Sequence, residues 1–294
     1  MITVLTPTYN RKYILNNAYN SLLAQTDHDF EWLVIDDGSN DDTEGLIKSY
    51  IKEEKINIRY FYKKNGGKHT ALNMGIKKAK GSMLIILDSD DILTKNAIEL
   101  IKKYEKKYKD YKDICGFSFL KTFPNGKKIG REYQEKEIID NYINFRHNRN
   151  ITGDMAEVFW TKILKNYQFP VFKDENFLSE AIVWNKIALK YDTVYINKGI
   201  YIADYIEDGL SKNFFKLVYK NPIGASENAN MFLNKKFKLI IRLKNAILYD
   251  GYSLVAKRKI KELVDNCNDK KLSIIMLPLG YIFKIFLYLK NKND

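Results

Sequence analysis

Residues Ser82 to Asp91 read SMLIILDSDD, an apolar run that stops at three carboxylates, Asp88, Asp90 and Asp91. Met83 to Leu87 lack the alternation of a half-exposed strand, so they predict a central strand buried on both faces, with the acids at its carboxyl end. That edge is where open α/β sheets hold ligands. Three acids in a partly desolvated crevice repel one another unless a cation neutralises them, and hard oxygen donors suit magnesium or manganese.

On the amino-terminal side of this stretch the chain alternates strand and helix. Residues 2–6 predict a first strand, and Pro7-Thr8-Tyr9-Asn10-Arg11 turns into a helix over about residues 12–25. Residues 31–35 predict a second strand, broken by Asp36-Asp37-Gly38-Ser39, after which Asn40 or Asp41 is placed to cap a helix toward Tyr50. Residues 56–62 predict a third strand, and Asn65-Gly66-Gly67-Lys68 opens a helix ending near Gly81. This alternation implies parallel βαβ units with right-handed crossovers. No GxGxxG follows the first strand and GxxxxGK[ST] is absent, which excludes the dinucleotide fingerprint and the P-loop.

On the carboxyl side a helix is expected over about residues 95–107, a strand over 114–121 and a hairpin turn over 123–127. Asp174 to Lys190 carries Phe177, Ile182, Val183, Trp184, Ile187 and Ala188 as a helical stripe with Glu180 near its start. Residues 193–201 predict a strand leading into the polar loop 204–213, and from Phe214 onward the pattern is helical.

With 294 residues, 45% of them hydrophobic, the chain is long enough for one large α/β domain and a helical extension, and too apolar to be disordered. Cys115 and Cys267 show no metal-ligand spacing, so both are expected as reduced thiols. The start MITVLTPTYN enters a strand pattern without the basic and apolar regions of a signal peptide, so a cytoplasmic location is expected. Residues 210–294 hold 17 Lys/Arg against 6 Asp/Glu, so +11 of the chain's +13 net charge lies there. No zinc-finger spacing or RRM-type aromatic signature accompanies that charge, whereas Leu272 to Leu289 is apolar with only Lys284 charged. A peripheral position on the inner face of the plasma membrane is therefore expected, and no nucleic-acid partner. The alternative for residues 272–289 is a helix packed in the core or between copies, which leaves a homo-oligomer open.

The motifs collected so far resemble the family 2 glycosyltransferases, inverting enzymes of the GT-A fold that use nucleotide-activated sugars. The resemblance rests on Thr6-Pro7-Thr8-Tyr9-Asn10-Arg11, Asp36-Asp37-Gly38-Ser39-Asn40-Asp41, Asn65-Gly66-Gly67-Lys68 with Ala71-Leu72-Asn73 and Gly75, and Asp88-Ser89-Asp90-Asp91, in order over about residues 1–100. It implies a mostly parallel central sheet flanked by helices, a catalytic domain over residues 1–212 and a basic helical extension over 213–294. Within the catalytic domain, residues 1–100 would bind nucleotide and 101–212 would serve the acceptor.

The resemblance also assigns expected roles. Pro7, Thr8, Tyr9, Asp36 and Asp37 would hold the uracil end of a UDP-sugar, Lys68 would meet base or phosphate, and Asp88 with Ser89 would sit near the ribose. Asp90 would ligate Mn2+ or Mg2+ bridging the diphosphate, with Asp88 beside it in the DxD motif. In Ser179-Glu180-Ala181-Ile182-Val183-Trp184-Asn185-Lys186 a serine stands at the first place of the family's usual acidic pair, which leaves Glu180 as the base, with Asp174 and Glu175 open as alternatives. Asp154, Trp184 and Ser211 are the acceptor-side candidates, Ser211 within Asp208-Gly209-Leu210-Ser211. The acceptor expected is a saccharide, polyprenyl-diphosphate-linked in the case of a membrane-bound substrate. Nucleotidyl transfer is the same-fold alternative, though Thr6 to Arg11 contains no glycine for a phosphate loop. An inactive sugar-nucleotide-binding scaffold is the non-enzymatic one.

Overall fold

The computed structural model describes residues 1–131, 133–203 and 214–293. β1 (Ile2–Thr8), α1 (Leu15–Leu23), β2 (Phe30–Asp36), α2 (Thr43–Lys52), β3 (Asn57–Tyr62), α3 (Lys68–Lys78) and β4 (Met83–Ile86) alternate as the patterning predicts. Then come β5 (Ile92–Leu93), α4 (Ala97–Tyr108), β6 (Ile114–Thr122), β7 (Glu137–Asp140), a π-helical turn (Ile143–Asn148), β8 (Met155–Trp160), α5 (Thr161–Leu164), α6 (Ala181–Ala188) and β9 (Asp192–Ile202). The chain continues as α7 (Phe214–Lys220), α8 (Pro222–Met231), α9 (Leu239–Val255), α10 (Ile260–Asn266) and α11 (Lys270–Asn293).

Two helix boundaries differ from the sequence pattern for local reasons. The helix expected from Asp174 begins only at Ala181: Asp174 adopts φ 62°, a left-handed conformation that no helix continues through, and the Asn176 and Phe177 N–H groups beyond it donate to Asn221 Oδ1 at 2.8 and 3.0 Å instead of entering a helix. α2 begins after Asp42, also left-handed at φ 61°, while Asp41 Oδ1 accepts the Thr43 hydroxyl at 2.6 Å. Asp41 therefore organises the turn before the helix and is not its cap.

The chain divides into two units. The first comprises Met1–Tyr142, Ile151–Gln168 and Ile187–Tyr205 and holds the sheet. Among the described residues nine strands run in the order β3-β2-β1-β4-β8-β6-β9-β5, with β7 also on β9. β3, β2, β1 and β4 are all parallel, whereas β8 runs antiparallel to both β4 and β6. The strand order reverses direction between β1 and β4, a topological switch point that opens a crevice at their carboxyl ends.

β4 sits centrally, as its unbroken apolar run requires, and Met83, Leu84 and Ile85 are wholly buried. The ladder continues past it, with Leu87 N–H donating to Leu5 O at 2.9 Å, so the acids that follow start from a fixed backbone position. Glu31 is a buried charge in β2, and it is fully compensated. Its carboxylate meets Arg59 at 2.7 Å, the Thr3 hydroxyl at 2.6 Å and the Lys80 N–H at 2.7 Å. Cys115 is a free buried thiol, pushed up to about 12 by desolvation.

The second unit comprises Ile143–Asn150, Phe169–Lys186 and Ile206–Asp294 and is helical. Its core joins Ala229, Leu233, Ala246, Tyr249, Leu263 and Cys267. α9 and α11 approach so closely that a Cβ on Gly280 would lie 2.5 Å from Asp250 Cβ, which requires glycine there. Ser273 donates its hydroxyl to the buried Asp250 carboxylate at 2.6 Å across the same contact.

Candidate active site

Four loops of the first unit leave the carboxyl edge of the parallel strands. The β1 and β2 ends lie side by side, Thr8 opposite Asp36, and Asp37 N–H donates to Thr8 O at 2.8 Å. The loops beyond interlock: Asn10 N–H donates to Ser39 Oγ and Asn40 N–H returns to Asn10 Oδ1, both at 2.9 Å. Pro7 is buried within β1, and Thr8 is buried with its Oγ1 lacking a hydrogen-bond partner among the described residues. Tyr9 leaves its ring 48% exposed at the edge.

Asp36 and Asp37 have different work. Asp36 Oδ1 accepts Ser39 N–H at 2.7 Å and Oδ2 accepts the Tyr60 hydroxyl at 2.8 Å. Asp37 organises the next loop: its carboxylate meets Lys63 Nζ at 2.5 Å, Gly66 N–H at 3.1 Å and Gly67 N–H at 2.8 Å. Asn65 Nδ2 donates to the Asp37 backbone carbonyl at 2.8 Å. Gly38 completes the junction, with φ 91° and Asn65 N only 2.7 Å from where a Cβ would stand. The two carboxylates expected at the uracil end thus also hold the architecture of two loops.

The loop so fixed delivers Lys68, the first residue of α3, to Asp88, with Nζ 2.6 Å from Oδ1. Burial opposes charge on Asp88, but Lys68 and then Lys121 outweigh it and hold the carboxyl below its ordinary value. Asp91 N–H donates to Asp88 O at 3.1 Å, closing a turn that contains the buried Ser89. Burial first and the Asp88 charge second raise both Asp90 and Asp91, Asp91 to about 7.

Two residues of the site carried no signal in the sequence. Tyr201, in β9 and 1% exposed, accepts the Asp88 N–H on its hydroxyl at 3.0 Å and is hydrogen-bonded to the Asp91 carboxylate. Lys121, in β6, stands 4.0 Å from Asp91 Oδ2 and 4.0 Å from the centre of the Tyr201 ring. The repulsion expected among the three acids is met in part by the protein's own cations. Among the described residues no three His, Cys, Asp or Glu side chains form a metal-binding group, and Lys68 and Lys121 supply part of the compensating charge. The donor set suits a different arrangement, in which a hexacoordinate cation takes one or two carboxylates and completes its shell with water and phosphate oxygens. The upward push on Asp90 is the electrostatic state that such a cation relieves.

The acceptor-side candidates are divided between the two units. Asp154 is exposed just before β8 in the first unit. In the second unit Glu180 precedes α6, half-buried, and its carbonyl accepts the N–H groups of Val183 at 3.0 Å and Trp184 at 3.3 Å. Trp184 is buried, edge-on to Phe169 at 5.9 Å. Glu175 accepts Ile223 and Gly224 N–H at 2.6 and 2.7 Å, capping α8, whereas Asp174 is exposed. Ser211, with Asp208-Gly209-Leu210, lies outside the described residues.

Comparison with known proteins gives the family and the fold. A Campylobacter jejuni GalNAc(5)-diNAcBac-PP-undecaprenol beta-1,3-glucosyltransferase is 28% identical over 224 residues, covering 74% of this chain and 70% of that protein. An uncharacterized glycosyltransferase of Rickettsia felis is 47% identical over 103 residues, 35% of this chain and 17% of its own length. The chain spans less than a fifth of the length of this and two further Rickettsia relatives. S. aureus TarS 1-349 in complex with UDP-GlcNAc superposes with TM-score 0.62 at 18% identity, over 98% of this chain and 89% of that one. The mannosyltransferase PcManGT from Pyrobaculum calidifontis, in complex with GDP-Man and Mn2+, gives TM-score 0.60 at 15% identity over 99% and 86%. These two likenesses show the GT-A fold. The family model of Glycosyl transferase family 2 matches residues 3–164, more than half of the sequence and all four loops of the crevice, and the chain belongs to that family.

Proposed function

We propose that the chain is a metal-dependent inverting glycosyltransferase that moves a sugar from a UDP-sugar to a hydroxyl of a saccharide acceptor. The observation that carries this is the convergence of the loops after β1, β2 and β4 and the start of α3 at one switch point, with Lys68 against Asp88 and a raised Asp90 two residues on. Pro7, Thr8, Tyr9, Asp36 and Asp37 would form the nucleoside end, and the complex of the structurally similar TarS with UDP-GlcNAc supports a uridine donor.

Lys68 would exchange Asp88 for a phosphate oxygen when donor enters, which frees the Asp88 carboxylate for the ribose and cation. Asp90, with Asp88, would hold Mn2+ or Mg2+, whose role is to offset the charge that builds on the departing diphosphate. Ser89 and the turn closed by Asp91 keep the two acids at fixed spacing. Glu180 would accept the proton of the attacking hydroxyl, since inversion takes one base on the acceptor side. Asp154, Trp184 and Ser211 are proposed for the acceptor side on the resemblance alone.

The acceptor is proposed to be lipid-linked, in bacterial surface polysaccharide synthesis, with the chain peripheral on the cytoplasmic face of the plasma membrane. Support comes from the undecaprenol-linked substrate in the Campylobacter relative's name and from the basic, apolar carboxyl-terminal helices. The same composition underlies the proposed division into a catalytic domain over 1–212 and an extension over 213–294. The test is nucleotide release from a panel of UDP- and GDP-sugars with Mn2+. Release that is specific for one UDP-sugar and abolished by Asp90→Ala supports the proposal, and no release from any donor points to the scaffold alternative.

A further inference from the structure

The helical unit exposes a continuous apolar stripe. Ile275, Leu279, Ile282, Phe286 and Leu289 of α11 are 45–65% exposed, and their spacing of four and three residues places them on one helix face. The opposite face, with Ser273, Gly280 and Leu287, is buried. Lys271 lies one turn before Ile275 and so heads the same stripe.

At that head the unit forms a cleft of about 410 Å3 whose lining includes Asn234, Lys235, Asn268, Asp269, Lys270 and Lys271. Its acid, Asp269, is already engaged by Arg242. Lys270 faces Asp265 at 3.7 Å with both side chains more than half exposed, a pairing that water largely screens. Beside the cleft, Lys238 is followed by Leu239 and Ile240, 59% and 71% exposed in the first turn of α9. Basic and apolar surfaces therefore occur together at the amino-terminal ends of both helices.

We propose that this cleft and stripe form a docking surface for an anionic phospholipid bilayer, with headgroup phosphates on Lys235, Lys270 and Lys271 and the Ile275–Leu289 face laid in the interface plane. Charge selects this occupant over a second copy, since a copy would bring its own net +11 of residues 210–294 to the contact. α11 is long and apolar enough to cross a membrane. Its packing argues for the in-plane position: Ser273 is bonded to the buried Asp250 of α9, and Gly280 is pressed against that helix. Crossing would carry Asp250 and the Arg242–Asp269 pair toward hydrocarbon, or strip α11 from its partner. This inference rests on the membrane-surface part of the function proposed above and is separate from sugar transfer.

The test is flotation of the full chain with vesicles of phosphatidylcholine, alone or mixed with phosphatidylglycerol. Each lysine near an anionic surface contributes a factor of about five, so Lys235→Glu, Lys270→Glu and Lys271→Glu together should lower affinity for the mixed vesicles at least about 100-fold. Ile282→Asn with Phe286→Asn should abolish binding to both, and circular dichroism should show every variant folded. Unchanged binding of the triple lysine variant overturns the proposal. So does resistance of bound protein to alkaline carbonate, which marks a spanning helix, or a lipid-free dimer that Ile282→Asn dissolves. UDP-sugar hydrolysis, measured on the same proteins without vesicles, should stay within about twofold of wild type. Vesicle binding without any hydrolysis would sink the enzymatic proposal and leave this one standing.

Discussion

The hydroxyl of Tyr201 accepts the backbone N–H of Asp88 at 3.0 Å, tying the carboxyl end of β9 to the first acid of the DSD turn. The same hydroxyl is bonded to Asp91, so one buried side chain fixes both ends of the acidic loop. Removing it by Tyr201→Phe leaves a part-buried N–H without its acceptor, a loss of about 1–2 kcal/mol. The expected result is about a tenfold weaker UDP affinity by calorimetry, with the melting temperature lowered by only a few degrees. Unchanged nucleotide affinity would show that the DSD turn holds its shape without the tyrosine.

Asp37 and Lys63 form a nearly buried ion pair that also gathers Gly66 and Gly67. Asp37→Ala strands the ammonium and two loop N–H groups, and should cost about 3 kcal/mol in urea unfolding. Adding Lys63→Met removes the stranded charge and should recover part of that loss. A double variant less stable than the two single effects summed would contradict this coupling.

Glu175 and Glu180 should separate cleanly. Glu175→Ala removes the cap of α8 and is expected to lower stability by about 1–2 kcal/mol. Glu180→Gln is expected to abolish transfer while UDP affinity stays near wild type, because a base for the acceptor hydroxyl does not bind nucleotide. Full transfer by Glu180→Gln would move the role to Asp174 or Glu175.

The helical unit holds two titrating groups with opposite effects between pH 4 and 7. Burial raises Asp250 to about 7, so the folded state binds a proton that the unfolded chain has released, and stability falls as pH rises from about 4. Burial lowers His147, bonded to Asn185 at 3.0 Å, to about 4. There the unfolded chain binds the extra proton, and stability is lost as pH falls below about 6.5. Asp250→Asn should therefore make stability rise more steeply with pH than in wild type, by about 4 kcal/mol across the window, and His147→Gln should make it fall relative to wild type, by about 3 kcal/mol. Parallel denaturation profiles for all three proteins would exclude both assignments.

Much of the parallel part of the sheet was legible in the sequence. An unbroken apolar run cannot sit at a solvated edge, so SMLIILDSDD placed β4 centrally and its acids at the carboxyl end. Asp36, Asp37, Lys68 and Asp88 likewise follow strand ends or open a helix, positions that local pattern reveals. The stretch over 174–190 was less legible, since its stripe shows no sign that Asp174 turns left-handed or that the Asn176 and Phe177 N–H groups go to Asn221 Oδ1, so that α6 starts only at Ala181.

By itself, the sequence determined the alternation of strands and helices, the burial of β4 and the loops that carry acids, because these depend on residues a few positions apart. Tertiary structure decided which of those acids are neutralised, and by what. Tyr201 lies 113 residues from Asp88, and the two meet only because strand order brings β9 around to the acidic loop. It also decided which face of α11 is covered, since an apolar helix carries no record of its partner until α9 packs against Gly280. Long-range contacts of this kind depend on topology, which local patterning constrains but does not specify.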